Sequence, residues 1–317
     1  MTTEVRETEQ KHEAGAAGAD GRLTRRSQAG DVVLAYVNAQ TIRLKALDPA
    51  VRHDEPDSVH QMRVTTRRLR AALQAFPKVV PETAHLLDEL RWLGQVLGDA
   101  RDAEVLDEYF HAELASTPVE LVIGPVQARV TAYFAPAQAA ARDAVLEALD
   151  SPRYFAILDD LDRLLEEPPQ TAAARATSEE ILSQAVAHTY RRVKHRMRRA
   201  QRTPEGAARD VALHEARKAA KRARYAAEAA EPAFGKKAKR FAKRMKAVQS
   251  LLGDHQDAVT ARRVAREVGV NAHLAGESAF TFGLLNERAH RDALEYQRQA
   301  RSVWKRAARP KARRSLH

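Results

Sequence analysis

The chain has 317 residues, long enough for a sizeable core and about two domains, and 44% of them are apolar. It has no cysteine, which excludes disulfide frameworks, thiolate zinc sites and cysteine nucleophiles. The net charge of +11 calls for a polyanionic partner, and it is unevenly placed: residues 1–150 carry 17 Lys and Arg against 23 Asp and Glu, residues 151–317 carry 36 against 19.

With 13 Gly, 13 Pro, abundant Ala, Leu, Arg and Glu and no alternating β-branched run, the composition predicts an all-α protein. No secretory leader and no apolar run near 18 residues is present, so a soluble, cytoplasmic protein without a membrane segment is expected. Residues 1–28 are small and polar, and they read as a disordered tail. Asp31 to Leu47 reads as the first packed helix, stopped by Asp48-Pro49. Ser58 and Gln61 form an S-x-x-Q capping box for the second, which Pro77 closes. A third helix reaches Leu97, where Gly98 predicts a stop and Asp99 a cap for a fourth that runs to about Leu114. An Ala-rich helical stretch follows to Leu149, bent at Pro125 and Pro136, and a shorter helix runs from Tyr154 to Glu166.

Residues 168–176, PPQTAAARA, are the linker candidate, and the chain then begins again. The first bundle is expected over 29–167 and the second over 177–308, with a basic tail at 309–317. Thr177 to Arg202 is one helix, whose last third holds seven Arg and Lys without an acid. Lys236 to Leu252 carries another dense basic run, Gly253-Asp254 again reads as stop and start, and a final helix spans Glu277 to Ala308.

The second helix, VHQMRVTTRRLR at 59–70, returns as LHEARKAAKRAR at 213–224. On a helix, His60, Arg63, Arg67 and Arg70 share an arc of about 80°, while Met62, Leu69, Leu73 and Phe76 gather on another face. His214, Arg217, Lys221 and Arg224 repeat the four offsets at a spacing of 154, which core packing does not require. A solvated charged face would explain one such helix, but not two in register. Leu97-Gly98-Asp99 and Asp102 pair with Leu252-Gly253-Asp254 and Asp257 at 155, so the repeat keeps its order along the chain. Two similar bundles related by a pseudo-twofold axis are therefore expected, with the two basic helices facing each other across a shared groove.

VHQMRVTTRRLRAALQAF resembles the signature of the CHAD domain, the conserved histidine α-helical domain, and LHEARKAAKRARYAAE resembles its second-half counterpart; LGDARD and LGDHQD fit as well. The resemblance covers about residues 28–310. It implies two four-helix bundles around a basic central cavity, and a module that binds inorganic polyphosphate, often on polyphosphate granules. By position it assigns His60, Arg63, Arg67, Arg70, His214, Arg217, Lys218, Lys221, Arg222 and Arg224 to the ligand, with Arg91 and Lys246, equivalent at spacing 155, as further candidates. Ala216 and Ala223 stand where the family places larger apolar residues, which would loosen packing of the second basic helix.

The chemistry suits that ligand. Arginine forks make paired hydrogen bonds to phosphate oxygens, and Arg63 to Arg70 spans about 10 Å of helix. His60, near a helix N-terminus, is expected to be neutral without ligand and to protonate beside a polyanion. Asp99, Asp102, Asp254 and Asp257 could form a metal-binding cluster for phosphoanhydride hydrolysis, but helix capping or orientation of neighbouring cations accounts for them more simply. No catalytic motif and no cofactor are expected. Nonspecific nucleic-acid binding is the alternative, disfavoured by 5% aromatic content and by the lack of aromatic residues among the basic offsets apart from Tyr225. The opposite charge of the halves suits self-association into a homo-oligomer.

Overall fold

A computed structural model describes residues 22–309, and apart from one isolated bridge the regular structure among them is helical. Helix α1 (Ala29–Arg52) buries Val33, Val37, Leu44 and Val51 at helical spacing. It runs through Pro49, where the sequence predicts a stop. Side chains tie down the last turn: Arg52 binds Asp48, Asp150 and the Leu149 carbonyl (2.9 Å), and Arg142 donates to the carbonyls of Val51 (2.7 Å) and Arg52 (3.1 Å).

Helix α2 (Ser58–Ala75) is the first basic helix, with Met62, Thr65, Thr66, Leu69 and Leu73 buried. The expected capping box does not form. Asp57 is the N-cap, held at φ 63°, Ser58 lies buried as the first helical residue, and Gln61 donates to the Asp57 carboxylate instead. Helix α3 (Ala84–Ala115) is continuous through Gly98, and it is followed by a short turn (Val119–Leu121), α4 (Val126–Asp150) and α5 (Pro152–Glu166). Pro125 is the N-cap of α4 and Pro136 lies inside it.

The linker is not slack. Its residues 172–175 form one turn, α6 (Ala172–Arg175), and Ala174 is buried against Gly30, where a Cβ would meet the Ala174 Cβ at 3.2 Å. The second half consists of α7 (Ser178–Arg202), α8 (Ala207–Ala229), a one-turn α9 (Glu231–Phe234), α10 (Lys236–Leu274) and α11 (Phe280–Ala307). Thr177 caps α7 by accepting from the Glu180 amide. α10 also passes through its glycine, Gly253, without a break.

Residues 22–28, expected within a disordered tail, are fastened to the start of α7. The Ala29 amide donates to Ala176 O and the Ser178 amide to Ser27 O, both at 2.9 Å, so the two half-chains exchange hydrogen bonds reciprocally at an offset of 149. Arg25 pairs with Glu179 at 3.3 Å and lies over the Phe234 ring. The rest of the expected tail, 1–21, and most of the basic C-terminal tail, 310–317, lie outside the described residues.

The helix order α1–α2–α3–α4 matches α7–α8–α10–α11, and α2 packs on α8. The halves do not have separate cores. One group of buried residues takes Leu44, Met62, Leu69, Leu93 and Tyr154 from the first half and Leu182, Val193, Met197, Ala220 and Met245 from the second. A smaller group joins the far ends of the two long hairpins, packing Phe110, Val130 and Phe134 against Val264, Phe282 and Leu285. Ala216 and Ala223, where the family places larger apolar residues, are fully buried.

Candidate anion-binding site

The α2–α8 contact brings the cations of both halves together. Arg63 and Arg217 each lie against a glycine of a long helix. A Cβ on Gly98 would stand 3.4 Å from the Arg63 guanidinium, and one on Gly253 would stand 3.4 Å from that of Arg217. The glycines are thus seats for arginines rather than helix stops, and Asp99 and Asp254 are mid-helix residues rather than caps. The aspartate three residues farther on faces the same guanidinium: Asp102 accepts from Arg63 at 2.9 Å, and Asp257 feels Arg217, Asp254, Asp102 and Arg63 together.

Arg67 sits between the two. Burial depresses its pKa, and Arg63 and Arg217, one from each half, depress it further, while Tyr225 and Asp102 offset part of this; a bound anion would offset more. The Nε atoms of Arg63, Arg70 and Arg217 and the Nδ1 of His60 are buried and meet no acceptor among the described residues. An arginine Nε buried without an acceptor carries a desolvation cost that a bound anion would offset. Lys221 is half-buried on the same helix face.

The two histidines differ. His214 Nδ1 is held by Gln256 Oε1 at 3.0 Å, whereas Arg101, the residue at the equivalent offset, acts on His60. Both have pKa values pushed below the usual histidine range, first by burial; around His60, Arg101, Arg63 and Arg67 add to this, and around His214, Lys218 and Arg217 do. His60 is the third residue of α2, as the sequence suggests, but His214 lies two turns into α8 and owes nothing to a helix end.

Other expected ligands lie elsewhere. Arg70, also lowered by burial, forms a second group with Arg91 and Arg222, and Arg91 is exposed and paired with Asp88 at 3.0 Å. Lys218 points outward to Glu215. Arg224 is withdrawn into the protein: Glu228 accepts from it at 2.6 Å and from Arg68 at 3.2 Å, and it lies over the Tyr225 ring. Lys246 is exposed on α10, and no hydrogen bond or ion pair ties it to the group among the described residues.

The CHAD-domain family profile matches residues 35–266, most of the chain. The chain belongs to the CHAD family. Two Mycobacterium tuberculosis proteins of uncharacterized function, MT2285 and Rv2226, are each 40% identical over 264 residues, 81% of this chain. The chain spans about half the length of these relatives (49%). Among solved structures, the CHAD domain from the plant Ricinus communis superposes with a TM-score of 0.64 at 26% identity, covering 95% of this chain and 96% of that one. PptA from Streptomyces chartreusis shares the fold, with a TM-score of 0.70 at 20% identity over 88% of this chain and all of that one.

Within the CHAD fold the repeat register explains which residues sequence reasoning overlooked. Arg101 and Gln256 occupy equivalent places beside the two histidines, and LGDARD aligned on LGDHQD exposes the pair. Arg191 and Arg192 belong to the basic run of α7 that the sequence already singles out, and with Lys78, from the loop after α2, they line a pocket together with Arg222. No helix among the described residues is long and apolar enough to cross a membrane.

Proposed function

We propose that this CHAD protein is a non-catalytic binder of inorganic polyphosphate, acting at polyphosphate granules in the cytoplasm and holding the chain at the α2–α8 contact. The observation that carries the reading is the pair of buried, acceptor-less Nε donors on Arg63 and Arg217, one from each half, beside the buried Arg67. The Arg63 and Arg217 guanidiniums are positioned before ligand arrives, each against a glycine and, for Arg63, by Asp102, so little of their side-chain entropy remains to be lost on binding. The aspartates act here as positioning groups for arginine, which favours a binding role over a metal-assisted hydrolysis.

A phosphate chain without bases fits better than a nucleic acid. Tyr225, the aromatic residue within the motif, is buried and offers no face for stacking. The test is a titration of long-chain polyphosphate onto wild type and onto a variant carrying Arg63→Ala, Arg67→Ala and Arg217→Ala. Loss of three charge-assisted contacts should weaken binding by at least about a hundredfold. Unchanged affinity would place the ligand on the exposed basic runs and end the reading.

A further inference from the structure

Eight large apolar side chains are exposed among the described residues, and five of them, Val119, Ile123, Val270, Leu274 and Phe280, lie in two short stretches, 119–123 and 270–280. The first connects α3 to α4, and the second ends α10 and starts α11, so both are hairpin tips. Thr281 fastens the tips together, accepting from the Ile123 amide at 3.0 Å and donating to the Leu121 carbonyl at 2.9 Å, and Arg129 pairs with Glu277 at 2.7 Å. The five side chains therefore gather at one end of the molecule, unlike the scattered single residues that any surface carries.

This end face has a projecting part and a receiving part. Val119, 84% exposed, and the exposed Glu120 project from the first tip. At the second tip, Gly269, Val270, Ala279, Phe282 and Gly283 line a groove of about 400 Å³ between α10 and α11; Arg266 lines it as well, and no carboxylate does. A Cβ on Gly283 would meet nothing within 4 Å, so the groove is open where a second molecule would enter. Glu120 and Arg266 are both exposed, and neither has an ion-pair partner among the described residues. The projecting part is thus apolar and acidic, and the receiving part apolar and basic. Both described ends of the chain lie about 50 Å away along α10, where Arg25 covers Phe234 and Trp304 meets Tyr190 beside Phe241, and no described segment covers the face.

We propose that a second copy of the chain docks on this end face, as a twofold dimer in which the 119–123 tip of each copy lies on the α10–α11 groove of the other. A twofold axis in the plane of the face exchanges the projecting and receiving parts, so Val119 fills a groove and Glu120 meets an Arg266 twice over. Groove on groove would instead set Arg266 against its own copy, and that repulsion selects the crossed pairing. The proposal stands apart from the polyphosphate reading. Leu274 lies about 30 Å along α10 beyond Gly253, so the central arginines stay open in the dimer.

The experiment is sedimentation of the ligand-free full chain over a range of protein concentrations. The proteins are wild type, Gly283→Gln, Glu120→Arg, Arg266→Glu and the double variant Glu120→Arg, Arg266→Glu; helicity and Tm are recorded for each. The three positions are exposed, and glutamine is a better helix former than glycine, so Gly283→Gln fills the groove without disturbing its own chain. Wild type should pass from monomer to dimer as concentration rises. Gly283→Gln and each single charge reversal should raise the dimer dissociation constant about tenfold, and the double reversal should return it to within about threefold of wild type. A wild type that stays monomeric throughout overturns the proposal and leaves the face to a different partner. A dimer unmoved by every variant overturns it as well, because the contact then lies elsewhere. Single reversals that the double variant does not rescue refute the crossed pairing of Glu120 with Arg266, and a mass that keeps growing past the dimer refutes the twofold.

Discussion

At the residue scale, the pairing of an arginine with a glycine decides how the site is made. Arg63 and Arg217 lie so close over Gly98 and Gly253 that an added Cβ would stand 3.4 Å from each guanidinium, at the near edge of van der Waals contact. Alanine is the better helix former by about 1 kcal/mol. Gly98→Ala with Gly253→Ala should therefore leave Tm unchanged or raised while pushing both guanidiniums out of place and weakening polyphosphate binding. A matched fall in Tm and affinity would show instead that the glycines serve packing. The histidines make a second prediction. Their free-state pKa values lie below the usual 6.5 and a bound polyanion raises them, so binding takes up protons and affinity must climb as pH falls through the region below about 6.5. Asp254 and Asp257, raised by burial, lose negative charge in the same direction at lower pH. His60→Gln with His214→Gln should flatten the profile across that region, as measured by titration at a series of pH values; an unchanged slope would assign it to other groups. The cation offsets were readable from spacing because they are local to one helix. The glycine seats were not, since a Gly-Asp pair reads locally as a stop, and only the arginine arriving from another helix reveals its use.

At the element scale, three boundaries depend on contacts distant in sequence. Helix α1 outlasts Pro49 because Arg142 and Arg52 bind its final turn to α4, and α3 and α10 pass through glycines that a neighbouring helix occupies. The existence of α2, α5, α7 and α8 followed from periodicity, although the cap expected for α2 at Ser58 and Gln61 did not form. The fate of Arg224 did not follow: the repeat places it with Arg70, but the Glu228 beside it, where the first half has Gln74, removes it from the site. Glu228 and Arg224 are each about one-seventh exposed (15% and 14%), so Glu228→Ala would leave Arg224 and Arg68 facing each other with no counter-charge. Denaturant unfolding should show a loss of about 3 kcal/mol, near the lower end expected for breaking a buried pair. An unaltered midpoint would mean that the pair contributes nothing net.

At the scale of the whole molecule, the sequence repeat and the hydrophobic core divide the chain differently. The all-α class and the helix order follow from composition and register, yet both cores draw on both halves, and the half-chains are laced together at Ser27, Ala29, Ala176 and Ser178. Residues 22–167 expressed alone should therefore lack a cooperative unfolding transition, while the full chain unfolds in one; a fragment with its own sharp transition would show that the bundles are independent. This shared construction lets cations from distant parts of the sequence converge, and the convergence of Arg63, Arg67 and Arg217 is the central claim. It is tested most directly by competing long-chain polyphosphate against single-stranded DNA at two salt concentrations on wild type and the Arg63, Arg67, Arg217 alanine variant. The arrangement predicts that polyphosphate stays bound at the higher salt under excess DNA, and that the variant loses this preference while keeping any weak DNA binding. Equal displacement by DNA, indifferent to the three substitutions, would contradict it.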